Sequence, residues 1–197
     1  MKIVCVVGSV AYSYSNLSKQ VGQMLAMREV HLLTGGGGGV MAAVSEAFYK
    51  TPARKGLVIG VIPQGSVTLK TGGKKIWQPK KNYPNPWVEI PIKTHLDGRI
   101  DADGEDAKGV FSRNHINALT ADVMIALPGG DGTYAEMELA KNYGKQVIVF
   151  LGKSAADDHI ELKKKSTKLY QTQLVAAGFQ VETDIISVET FLAKNGC

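Results

Sequence analysis

Two strand–glycine–helix junctions constrain this chain more than any other feature. At the first, an apolar run from Val30 to Leu33 passes through Thr34 into five consecutive glycines, Gly35 to Gly39. A helical stretch, Val40 to Tyr49, follows at once. At the second, Ala121 to Leu127 leads into Pro128-Gly129-Gly130-Asp131-Gly132-Thr133, and Tyr134 to Tyr143 reads as a helix. Glycine lets a backbone turn sharply and approach a ligand with no Cβ in the way. A helix that starts from such a turn aims its first free N–H groups at it, which suits an anion and above all a phosphate. Thr133 is placed to cap the second helix. One glycine-rich turn is explained by tight geometry alone; two in one small α/β domain predict a phosphate site shared between them. Neither is followed by Gly-Lys-Ser/Thr, so neither is a Walker loop. Neither shows dinucleotide spacing with an acidic residue on the next strand, so a dinucleotide is not expected.

The remaining chain fits the same architecture. Ile3 to Val7 is a β-branched strand closed by Gly8-Ser9. Leu17, Val21, Met24 and Leu25 share one face of a helix that Ser15 or Asn16 can cap and that runs to about Met27. Leu57 to Ile62 is a third strand ended by Pro63, and Gln146 to Leu151 a fifth after the Ala121 run. Residues 158–177 read as a long helix stopped by Gly178. Val181-Glu182 and Ile185 to Val188 are candidates for a last strand, with Ser187 as cap of a final helix through Lys194. Strands that alternate with helices and lack hairpin signals predict an α/β fold. The expected form is a single Rossmann-like domain over residues 1–197, a doubly wound parallel sheet with helices on both faces. Right-handed crossovers then place the C-terminal ends of the strands on one edge, where ligands bind.

Residues 64–108 break this rhythm with prolines and glycines and read as an irregular insertion. Inside it, Trp87 to Ile92 fits a short edge strand. The acidic stretch 97–106 is either a mobile lid or a surface loop without a role. A helix from about Val110 to Leu119 restores the pattern.

The formal charge of +5 suits a small anionic ligand or nucleic acid without choosing between them. The lysine runs Lys74-Lys75, Lys80-Lys81 and Lys163-Lys164-Lys165 read as solvated faces. Cys5 sits in a core strand and Cys197 is the last residue. Neither has a partner at metal-ligand spacing, so no metal site and no disulfide framework is expected. No signal-peptide pattern and no run of about 18 apolar residues occurs, and a soluble, cytoplasmic protein without a membrane partner is expected. His31, His95, His115 and His159 stand outside any motif.

Two charged residues ask for a chemical explanation. Glu136 lies one turn into the second helix, where the helix dipole favours it but anion binding does not need it. Arg113 lies in the helix before the Ala121 strand and could reach the ligand edge, where a guanidinium grips phosphate in bidentate fashion. Its plainer alternative is an exposed arginine at a helix N-terminus. Ser9 either donates to a phosphate or begins a turn, and Asp131 reads first as an exposed turn residue.

Together these residues resemble a known family. Pro128 to Glu136 matches the PGGxGTxxE signature of the Lonely Guy (LOG) proteins. Arg113 stands fifteen residues before Pro128, where that family keeps its motif arginine, and Asp122 falls at the family's position before the strand. Gly8-Ser9 resembles its first-strand turn and Gly35 to Met41 its GGGxxGLM loop. The likeness covers most of the chain outside residues 64–108. It implies a homodimer and a hydrolase that cleaves the N-glycosidic bond of a nucleoside 5′-monophosphate, a cytokinin nucleotide or AMP. The products are free base and ribose 5-phosphate. On that implication Arg113 and Glu136 are the catalytic pair. Gly8, Ser9, Gly35, Gly36, Gly37, Gly38, Gly39, Met41, Pro128, Gly129, Gly130, Asp131, Gly132 and Thr133 bind the phosphorylated ligand.

The chemistry suits those residues. N-glycoside cleavage passes through an oxocarbenium-like state, which a carboxylate stabilises while it orients water. No metal is required, and no lysine stands in a pyridoxal-phosphate setting, so no cofactor is expected. Three departures support a second reading. Leu119 stands where the family has a second arginine, Arg113-Asn114 replaces Arg-Lys, and the first glycine loop is one residue shorter. These features look like a sister group that includes molybdenum cofactor carrier proteins, which bind a phosphorylated pterin without hydrolysing a nucleotide. The alternative is therefore a non-catalytic carrier of a phosphorylated ligand, while Pro128, Thr133 and Glu136 favour the enzyme. Both readings expect a small phosphorylated partner and no nucleic acid.

Overall fold

A computed structural model describes residues 1–65, 68–69, 75–96, 112–152 and 167–197. Its elements in chain order are β1 (Lys2–Val7), α1 (Ser15–Ala26), β2 (Val30–Thr34), α2 (Val40–Lys50) and β3 (Val58–Ile62). Then come β4 (Thr68–Leu69), β5 (Lys75–Ile76), β6 (Ile90–Lys93), α3 (Arg113–Thr120) and β7 (Val123–Ala126). The chain closes with α4 (Asp131–Asn142), β8 (Gln146–Phe150), α5 (Thr167–Ala176), β9 (Gln180–Glu182) and α6 (Ile185–Lys194).

Seven strands form one sheet in the order β6-β3-β2-β1-β7-β8-β9, and each pairing in it is parallel. The expected doubly wound Rossmann-like sheet is therefore the fold. The short β4 and β5 pair only with each other, antiparallel. β1 is the central strand: Val4 lies between Leu32 of β2 and Val123 of β7. Successive side chains of a strand point to opposite faces, so β1 feeds two cores. Val4 and Val6 pack with Leu17, Val21 and Leu25 of α1, Val44 and Phe48 of α2, and Leu192 of α6. Cys5 and Val7 pack with Ala118 of α3, Met137 and Ala140 of α4, and Leu174 of α5. A strand covered on both faces reads as an unbroken apolar run, which is how the β1 sequence reads.

The chain builds outward from β1 through β2 and β3 on one side. It then returns to build β7, β8 and β9 on the other. Such a reversal opens a crevice at the carboxyl ends of the two strands where it occurs, here β1 and β7. Each glycine-rich junction ends a strand next to β1.

The caps differ from expectation. α1 starts after Tyr14, which takes a left-handed conformation at φ 42° with its ring buried, so Ser15 lies inside the helix and caps nothing. Gly130, not Thr133, is the N-cap of α4. The turn is complete after two glycines, and Asp131 already has helical geometry. Ile185 to Val188 lies in α6 and not in a strand. Asp184 caps that helix by accepting from the Ile186 amide at 3.0 Å, which leaves Ser187 within the first turn. The predicted edge strand exists but begins at Ile90, beyond Trp87. It sits at the sheet's edge, where Pro91 costs no ladder bond. The acidic stretch 97–106 and the first parts of the helices expected at 110–119 and 158–177 lie outside the described residues. Among the described residues no helix is long and apolar enough to cross a membrane.

Phe48 is fully buried between the sheet and α1. Truncation of such a side chain removes its burial and leaves a void. Phe48→Ala is expected to lower the unfolding free energy by about 3–5 kcal/mol in urea titration. A loss below about 1 kcal/mol would contradict this packing.

Candidate functional site

The carboxyl ends of β1, β2 and β7 meet around a cleft of about 560 Å³. Ser9 holds its rim together. The Ser9 amide donates to Pro128 O at 3.1 Å, and the Ser9 carbonyl accepts from the Val40 amide at 2.8 Å. The turn after β1 is thus tied to both glycine-rich junctions. Ser9 Oγ accepts from the amides of Ala11 and Tyr12 at 3.2 and 3.0 Å, which orders the following loop. Its hydroxyl proton is not used by those bonds.

Arg113 opens α3 and is only 5% exposed, so it is not the surface arginine that the plainer reading allowed. Its guanidinium lies flat against Gly35. A Cβ at that position would overlap Nη1, which is why glycine is required there. On the other side the Tyr83 ring sits 6.0 Å from the guanidinium carbon, a cation–π distance. Nε and Nη1 are buried and meet no hydrogen-bond acceptor among the described residues. Buried donors without acceptors are costly, and both belong to a side chain that lines the cleft.

Glu136 shares the lining with Arg113. It is half-buried on the cleft wall. Asn117 Nδ2 donates to Glu136 Oε1 at 2.8 Å. Burial pushes the carboxyl above its ordinary pKa; the Arg113 charge and the Asn117 bond pull the other way without cancelling that effect. Gly130 and Gly132 bring the backbone at the start of α4 to the cleft wall, at the positive end of its helix dipole. Thr133 is buried there, with its hydroxyl packed where a side chain at Gly129 would stand.

The expected residues divide into two groups. Gly8, Ser9, Gly35, Gly38, Met41, Arg113, Gly130, Gly132, Thr133 and Glu136 line the cleft. Gly36, Gly37, Gly39, Pro128, Gly129 and Asp131 do not, and most of these shape the turns. Gly36 and Gly39 take positive φ, 73° and 59°. Gly37 lies under Tyr83, and Pro128 accepts from Ser9. Asp131 is exposed, as a turn residue should be. Leu119 is 52% exposed, so the position of the resemblance's second arginine points away from this cleft. His115 is structural, its Nδ1 lying 2.6 Å from Tyr143 Oη.

Several cleft residues were not anticipated. Lys80, Lys81, Asn82 and Tyr83 form one wall. No sequence period marks them, because they lie in the irregular stretch. Asn117 had a signal that went unused: it lies four residues after Arg113, one helical turn on and on the same face. Among the described residues no group of three His, Cys, Asp or Glu side chains could hold a metal ion.

Comparison with known proteins agrees with the fold. The sequence model of the SLOG cluster4 family matches residues 1–179. A protein of Archaeoglobus fulgidus, described only as uncharacterised, is 27% identical over 131 residues; the match covers 66% of this chain and 66%, just under two thirds, of that one. The molybdenum cofactor carrier protein of Chlamydomonas reinhardtii aligns in two structures. One gives a TM-score of 0.64 at 24% identity over 98% of this chain and 97% of that one. The other gives 0.61 at 27% identity over 98% of each. The molybdenum cofactor binding protein of Rippkaea orientalis aligns at 0.62 with 24% identity, over 96% and 95%.

The Glu136 environment makes a pH-dependent prediction. A carboxyl whose pKa is raised on folding contributes stability below its ordinary pKa, and that stability is lost as pH rises through the raised value. Glu136→Gln removes the titration while keeping an oxygen for Asn117. The variant is expected to melt above the parent at pH values beyond the raised pKa, with the gap closing as pH falls below the ordinary carboxylate range. Thermal melts across that range check it; a gap that ignores pH, or that favours the parent at high pH, contradicts it.

Proposed function

The chain belongs to the SLOG cluster4 family, and we propose that its cleft binds a small phosphorylated ligand that the protein carries or senses. A phosphorylated pterin of the molybdenum cofactor class is the named case. The observation that carries the binding claim is Arg113, a nearly buried cation on the cleft wall whose Nε and Nη1 meet no acceptor among the described residues. Its planar fork matches two phosphate oxygens. The start of α4 adds backbone N–H groups and a favourable dipole for the same anion. The carrier reading draws support from the likeness, at 27% identity over 98% of both chains, to the carrier protein of Chlamydomonas reinhardtii.

Glu136 favours a second reading, hydrolysis of the N-glycosidic bond of a nucleoside 5′-monophosphate. With the phosphate at Arg113 and α4, the carboxylate would lie beside the ribose, where it stabilises an oxocarbenium-like centre and orients water. Arg113 would hold the phosphate on the enzyme as the base leaves. A ligand shielded from bulk water in the cleft would feel both charges more strongly.

Calorimetry and product analysis separate the two. AMP and phosphorylated pterin are titrated into the protein, and monophosphates are incubated with it and checked for free base by chromatography. Under the carrier reading a phosphorylated ligand binds and no base appears. Base release that disappears in Glu136→Gln would establish the hydrolase instead. In both cases Arg113→Met is expected to weaken binding roughly 10–100-fold. Wild-type affinity in that variant would remove the proposed site.

A further inference from the structure

Lys80 and Lys81 read in the sequence as a solvated pair, yet both line the cleft. The backbone explains how they get there. The Lys80 amide donates to Pro63 O, just past the end of β3, at 3.2 Å. The Tyr83 amide donates to Lys80 O at 3.0 Å, closing a β-turn. Asn82, its third residue, is left-handed at φ 67°, as a type II turn requires. Asn85 fixes the other end to the first glycine junction. Its amide donates to Gly36 O at 2.7 Å and its Nδ2 to Gly37 O at 3.0 Å. The two ammonium groups thus hang from a turn that is hydrogen-bonded to the sheet's ligand edge at both ends.

Their place in the fold is informative. The turn is anchored over the ends of β2 and β3, whereas the Pro128 to Thr133 turn follows β7, on the far side of β1. Neighbouring strands lie about 4.8 Å apart, so roughly 10–14 Å separate the anchor of the lysine turn from the start of α4, with the Arg113 guanidinium on the lysine side against Gly35 and Tyr83. The charged lining consists of Lys80, Lys81 and Arg113 against Glu136. Arg113 and the start of α4 suffice for one phosphate. The lysines are left without that duty, and neither forms an ion pair among the described residues.

We propose that Lys80 and Lys81 form a second anion subsite, so that the ligand is a phosphorylated small molecule that carries another anionic group. This rests on the phosphate-ligand reading above and narrows it. A simple nucleoside monophosphate, whose base is neutral, leaves the second subsite unused. A phosphate ester with an anionic far end engages both.

The test compares hexyl phosphate with hexanediol bisphosphate by calorimetry at low salt. It uses wild-type protein and the double variant Lys80→Gln/Lys81→Gln. Both lysines are exposed, so the variant keeps the fold, which circular dichroism verifies. In the wild type the bisphosphate is expected to bind roughly fivefold to tenfold more tightly than the monophosphate. This exceeds the statistical factor of about two for its equivalent ends. The double variant is expected to lose that advantage while binding the monophosphate within about twofold of wild type. Equal affinities in the wild type, or an advantage that survives in the double variant, overturn the second subsite and leave the first intact. Binding of neither probe overturns the phosphate reading and the subsite together.

Discussion

Arg113 is 5% exposed, and its Nε and Nη1 find no acceptor among the described residues. Removing a guanidinium from water without pairing it costs on the order of several kcal/mol. The surrounding residues can be read as the means by which the fold accommodates that cost. Gly35 lacks a side chain, so the guanidinium can lie on the backbone. The Tyr83 ring offers its quadrupole from the opposite side. The Glu136 charge is near enough for Arg113 to offset part of that carboxyl's pKa shift, yet Glu136 takes its hydrogen bond from Asn117. Arg113 is therefore stabilised at a distance while Nε and Nη1 stay without an acceptor among the described residues.

The rigidity behind this arrangement comes from the strand order. β1 carries a core on each face and ends at the point where the chain reverses direction across the sheet. Its last turn can then reach both neighbours, and Ser9 does so with one amide and one carbonyl. Two glycine-rich junctions far apart in sequence become the two walls of one cleft. The irregular segment after β3 completes it through Asn85, which links residues 48 positions apart by a side-chain hydrogen bond.

The parts of this that were legible in the sequence are those governed by local rules. β1, β2, β7 and β8 show as largely apolar runs because strands buried on both faces have few polar positions. The glycine junctions show because only glycine tolerates the close approaches at Gly35 and Gly39. Arg113 and Glu136 were identified by their register with the second junction, and the fold places both on the cleft. The caps were misjudged where several candidates stood together: Thr133 next to Gly130, and Ser187 next to Asp184. Capping depends on where the backbone leaves helical geometry, which composition does not specify. Tyr83 carries no signal in the sequence, and the paired lysines read there as a solvated face, for another reason. Their placement follows from hydrogen bonds to Pro63, Gly36 and Gly37, long-range contacts that leave no periodic trace.

The central claim is that the nearly buried Arg113 guanidinium, together with the start of α4, forms a phosphate site. A crystal structure of the protein with AMP bound tests it most directly. The account predicts phosphate oxygens about 3 Å from the Arg113 guanidinium, with the same phosphate in contact with the backbone at Gly130 to Gly132. A phosphate seated away from both glycine junctions, with the Arg113 donors still unpaired, would contradict it.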